Sequence, residues 1–304
     1  MSYKSAIIYL NYEHSAFIFY YYFIYMLPSR IIKRNYIKTN IIANTNNIEK
    51  VFGNIPIFWI NLYDSVNRFN NMNEQLKNYP FNHKIGAIDG RNEDTFKRQY
   101  DVKCINPKNF CTAVIAVICS HIKAIKKGFD LGYDNICVFE DDTNFELIPY
   151  YPHTLKDIIS ITPTDWDIIQ LFHSNIANDL NEYTLKGLSV YKRNIDSSGT
   201  CYLINRNGMK KILQNIETDG DTKYNITCPI VNPEHAIFSQ LNAYVLNLPF
   251  LYYQSNEMTF DEYNKGSNAK LLCQKIHMET KIQLTTFIKK LYNNRWTGRR
   301  RRKP

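Results

Sequence analysis

The chain has 304 residues, 44% of them hydrophobic and 14% aromatic. That balance excludes a disordered polypeptide and leaves room for one large α/β domain or two small ones. The formal charge of +9 sits at the ends: residues 1–38 hold five basic side chains against Glu13, and Arg295 to Pro304 hold six. A nearly neutral middle argues against a nucleic-acid-binding domain, which carries a basic face of its own, so nucleic acid is not an expected partner.

Residues 6–27 are the most apolar stretch, but Asn11, Glu13 and His14 interrupt it. The uninterrupted run is shorter than the roughly 20 residues that a membrane-spanning helix needs. It suits a signal-like or buried segment better, and leaves both a cytoplasmic location and membrane association through 6–27 open. Residues 39–54, rich in Asn and Thr, read as a linker, so that 1–54 form a hydrophobic and basic extension. The ordered core is expected over 55–260, with a C-terminal extension and basic tail over 261–304. The frequent Asn, Ile, Lys and Tyr have AT-rich codons, a bias that would fit a large DNA virus or a protist.

Within the core, IPIFWINL from Ile55 is short, apolar and β-favouring, and reads as a buried strand. Asp64 or Ser65 can cap a helix in which Phe69, Met72, Leu76 and Tyr79 recur at helical spacing until Pro80. KIGAI predicts a second strand ending at the turn pair Asp89-Gly90. Residues 111–127 predict a helix buried on most sides, with Gly128 as its C-terminal cap. NICVF then runs as a central strand into Glu140, and DIIQLF and TCYLI predict further strands, the second followed by a helix over RNGMKKIL. Strands alternating with helices predict a partly parallel α/β sheet. The seven cysteines form no CxxC pair, and those in apolar runs, such as Cys119 and Cys137, read as buried free thiols.

The most informative feature is Glu140-Asp141-Asp142, directly after the apolar run ICVF. In open α/β sheets ligands bind beyond the carboxyl ends of strands. Three adjacent carboxylates repel one another, and a divalent cation relieves that repulsion. Mg²⁺ or Mn²⁺ takes one or two carboxylates together with diphosphate oxygens. An acidic surface turn, a phosphatase or a nucleotidyltransferase would be written with the same residues.

Five segments, in order, resemble glycosyltransferase family 25: IFWINLYDSVNRFNNMNEQL (57–76), IGAIDGRN (85–92), the stretch 113–146 with Ser120-His121 before the acids, WDIIQLF (166–172) and SSGTCYLINRNGMKKIL (197–213). The resemblance implies a GT-A type, Rossmann-like mixed sheet flanked by helices, and an inverting hexosyltransferase with a divalent metal, Mn²⁺ or Mg²⁺. It implies a UDP-sugar donor and a glycan or hydroxylysine-type acceptor. By position it puts Asn61, Arg68, Ser120, His121 and Glu140 near the donor and Asp142, with Glu140, on the metal. His121 also reads as a satisfied core histidine, because it continues an apolar helix.

The family's usual Asp is replaced in Pro233-Glu234-His235. Glu234 is the preferred general base over Asp141, whose basicity a bound metal would depress. Two rival readings are a non-catalytic relative keeping the fold, and a nucleic-acid- or membrane-binding protein acting through the Arg-rich tail.

Overall fold

Ile57 to Asn61 are all buried, as expected of a strand covered on both faces, and they form one of the inner strands of a seven-stranded sheet. The computed structural model describes residues 45–104, 112–173, 176–192, 201–219, 222–226, 233–253 and 268–300. The apolar stretch 6–27 lies outside these, as do residues 197–200 of the segment 197–213 that entered the resemblance. No helix among the described residues is long and apolar enough to cross a membrane.

In chain order the elements are α1 (Thr45–Phe52), β1 (Ile57–Asn61), α2 (Val66–Leu76), β2 (Asn82–Gly86), α3 (Glu93–Gln99), β3 (Asp101–Cys104) and α4 (Thr112–Asp130). Then come β4 (Asn135–Glu140), β5 (Thr143–Asn144), α5 (Leu155–Ile161), β6 (Ile168–Gln170), α6 (Ala177–Lys186), β7 (Val190–Lys192), β8 (Cys201–Asn205) and α7 (Arg206–Asn215). The last are β9 (Ile216–Asp219), β10 (Lys223–Ile226), α8 (Pro233–Phe238), β11 (Ala243–Leu246), β12 (Tyr252–Tyr253) and α9 (Asn268–Arg300).

The main sheet has the order β2-β1-β4-β8-β6-β11-β7. β1 pairs in parallel with β2 and β4, and β6 in parallel with β11, whereas β8 is antiparallel to both β4 and β6. Two reversals across β8 restore the direction, so β1, β2, β4, β6 and β11 all end at one edge. The fold is therefore a mixed sheet flanked by helices. One face packs under α1, α2, α5, α6 and α9, and the other under α3, α4, α7 and α8. Cys119, Cys137 and Cys201 are buried free thiols in these layers.

Three local expectations change. The presumed linker contains α1, whose Ile48, Val51 and Phe52 are buried at helical spacing and cover the sheet. Gly128 does not cap α4, which runs on to Asp130; a Cβ there would meet Ile136 Cδ1 at 2.6 Å, so the glycine permits close helix–strand packing. The left-handed residue that turns the chain is Gly132, with φ of 81°. The weak pattern after residue 260 hides a 33-residue helix, α9.

Candidate functional site

The register of the sheet assembles the site. Because Ile60 stands beside Glu140 in parallel strands, Asn61 and Asp141 leave the sheet as neighbours. The alternation of side chains along an extended chain then divides the acids between the two faces. Asp141 turns towards α2, where Asn61 Nδ2 donates to its Oδ2 at 2.7 Å and Arg68 Nη1 to its Oδ1 at 2.9 Å. Glu140 turns towards α4, with its Oε1 3.4 Å from His121 Nε2. Asp142 is 8% exposed, and its Oδ2 lies 3.9 Å from Arg68 Nη1.

One guanidinium thus faces two carboxylates, with the charge of Glu140 beyond them. Burial alone would lower the Arg68 pKa, but the charges of Asp142 and Asp141 outweigh that and raise it. Burial raises the Asp141 carboxyl above its usual range against the opposing pull of Arg68 and Asn61. Asp142 goes further. Burial, reinforced by the charge of Glu140, pushes its pKa up to about 8.

Hydrogen-bond accounting marks the same place, although Trp59, Ser189 and Thr285 also carry buried atoms without a partner. Buried polar groups are almost always paired, so each exception calls for an explanation. Here Asp142 Oδ1, Asn61 Oδ1, Arg68 Nη2 and Asn71 Nδ2 are buried without a partner, and all four belong to β1, α2 or the turn after β4. They include both acceptors and donors. A cation beside Asp142 and an anion beside Arg68 would satisfy both kinds.

The residues expected at the site separate into two groups. Asn61, Arg68, Asp141 and Asp142 are brought together. Ser120 is buried inside α4, where it accepts from Ile88 N at 2.8 Å and donates to Ala116 O at 2.7 Å, so it secures the chain after β2. His121 is 1% exposed and sits between Glu140 and Tyr202, its Nδ1 3.1 Å from the Tyr202 hydroxyl. It has the surroundings of a satisfied core histidine. Glu234 stands in α8, across the sheet from Arg68.

Two side chains escaped the sequence reading. Gln75 Nε2 donates to Thr143 O at 3.2 Å, and its Oε1 accepts from Phe145 N at 2.9 Å. This latches α2 to the segment that follows the acids. Asn71 lies on the same helix edge. The only sequence signal for either is the spacing Arg68, Asn71, Gln75, which aligns three polar residues along one side of a helix.

Among the described residues, no group of three or more His, Cys, Asp or Glu side chains forms a ready-made metal site. Asp142 offers one buried oxygen without a hydrogen-bond partner. Mg²⁺ is commonly held by one or two carboxylates and completes its shell with phosphate oxygens and water. The residues present therefore fit a cation that shares its coordination with a bound ligand.

Compared with known protein families, residues 69–293, well over half of the chain, match the Poxvirus P35 protein family. No curated protein matches the chain. The family match overturns the resemblance to glycosyltransferase family 25. The assignment as a hexosyltransferase acting on a UDP-sugar with manganese is withdrawn with it. The physical reason lies in what the five segments encode. They specify strands, a helix and an acidic sheet edge in a certain order, and one such architecture serves many unrelated functions. A viral source, one of the two that the AT-rich residue usage would fit, agrees with the match. The chain belongs to the Poxvirus P35 protein family.

Proposed function

We propose that this protein is a binding protein whose carboxyl-edge site takes a phosphate-bearing small molecule together with a divalent cation. The observation that carries this reading is the pair of unsatisfied buried atoms of opposite kind, Asp142 Oδ1 and Arg68 Nη2, on residues 3.9 Å apart. An anion alone would satisfy Arg68 and worsen the repulsion at Asp142. A cation alone would do the reverse. A chelated cation–phosphate pair answers both.

In this reading Asp142 holds the cation, and Arg68 holds a phosphate oxygen while keeping its bond to Asp141. Asn61 fixes Asp141, so that the guanidinium is presented in one orientation. When bound, the cation screens the carboxylates from one another and from the phosphate. Glu140, 33% exposed at its side chain, borders the site from the α4 side.

The test is thermal unfolding of the full chain with pyrophosphate, with Mg²⁺ and with both. A ligand that binds only the folded state raises the melting temperature by mass action. Both components together are expected to raise it well beyond the sum of their separate effects. No shift with millimolar amounts of both would reject the reading.

A further inference from the structure

The helix that carries Arg68 has a second polar contact with the acidic segment. Arg68 meets Asp141 and Asp142, and one step of seven residues further on Gln75 meets Thr143 O and Phe145 N. Seven residues are nearly two turns, so both side chains project from the same edge of α2. Asn71 lies between them on that edge, three residues after Arg68 and four before Gln75. It therefore shares the edge of α2 whose Arg68 and Gln75 contact the acidic segment. Its amide Nδ2 is buried and has no hydrogen-bond partner.

A buried amide nitrogen without an acceptor destabilises a protein, because its lost hydration is not replaced. Met72 and Leu76, on the neighbouring side of α2, are fully buried against the sheet. The amide instead puts a buried, unpaired donor on the helix edge that carries Arg68 and Gln75, one turn from Arg68. Two donors one helical turn apart match an anion with more than one oxygen.

We propose that Asn71 is an anion-recognising residue of the site. Its amide N–H and the free N–H of Arg68 Nη2 together receive the oxygens of the phosphate-bearing ligand. This rests on the reading that a cation–phosphate pair binds beside Asp142, and it adds the residue that grips the anionic half. It also commits to a ligand with at least two anionic oxygens on the α2 side, which a lone halide or a neutral sugar does not provide.

Isothermal titration of the full chain with pyrophosphate in Mg²⁺ tests it, using Asn71→Leu and Asn71→Asp. Each removes the donor, and the second nearly keeps the shape. Both are expected to bind Mg²⁺–pyrophosphate at least tenfold more weakly than the wild type. Without ligand, Asn71→Leu is expected to melt at the wild-type temperature or above it, because an unsatisfied group has been removed. A purely structural asparagine would show the opposite pattern, with a lower melting temperature and unchanged affinity in whichever variant folds. Unchanged affinity in either folded variant overturns the proposal. If the wild type itself takes up no Mg²⁺–pyrophosphate, the underlying site reading fails instead.

Discussion

Two buried aspartates at opposite edges of the sheet have opposite surroundings. Asp167, at the amino end of β6, is fully buried. It accepts from Asn207 Nδ2 at 2.7 Å, Lys211 Nζ at 2.5 Å and Asn242 N at 2.8 Å. Asp142, just beyond the carboxyl end of β4, has an oxygen with no partner, two acidic neighbours, and a pKa pushed up to about 8. The first is a structural carboxylate: its donors come from α7 and the chain before β11, so it ties three parts of the fold together. The second weakens the ligand-free fold. Such an uncompensated buried group calls for an explanation, and a bound cation would supply one.

The sharpest way to break this comparison is to remove each carboxylate in turn. Asp167→Ala leaves Asn207, Lys211 and the Asn242 amide without their acceptor. It is expected to cost about 3 kcal/mol in urea denaturation, somewhat less than a fully buried pair because Lys211 is partly in water. A loss below about 1 kcal/mol would show that the amino-edge network is not what separates the two sites.

Asp142→Asn should act in the other direction. With its folded pKa raised to about 8 from the ordinary 3.8, the folded state binds more protons than the unfolded chain between these values. Ligand-free stability therefore falls as pH rises from about 4 to about 8, and levels off above that. The amide does not titrate, so Asp142→Asn is expected to flatten this fall and to melt a few degrees higher at pH 8. Melting curves from pH 5 to 9 would check it; a variant less stable than wild type at pH 8 would contradict the account.

A smaller effect is expected for Gln75→Ala. It removes two hydrogen bonds to the backbone of residues 143–145, each worth roughly 1 kcal/mol, and so loosens the link between α2 and the acidic segment. Hydrogen exchange in residues 141–146 should quicken while the rest of the sheet stays protected.

Much of the scaffold was legible in the sequence. The strands at Ile57 and Asn135 are continuous apolar runs, as strands covered on both faces must be. The position of the acids follows from where the second run stops. The helix α1 was not legible, because its three buried residues lie in an Asn-rich stretch whose composition resembles a linker. The helix α9 was missed because its weakly amphipathic pattern shows no clear apolar stripe. At the site, the acids Glu140 to Asp142 stood out as charges at a strand end, whereas Arg68 entered only through the family resemblance. Asn71 and Gln75 did not, since an amide on a helix is usually solvated and only tertiary packing makes it unusual. The family resemblance went wrong at the same level. Short ordered segments report elements and edges, and many families share those.

The most direct test of the central claim is isothermal titration of wild type and Asp142→Asn with pyrophosphate, in the presence and absence of Mg²⁺. The account predicts that wild type binds when both are present and that the variant loses the Mg²⁺ dependence while remaining folded. Equal Mg²⁺-dependent binding by the two proteins would contradict it.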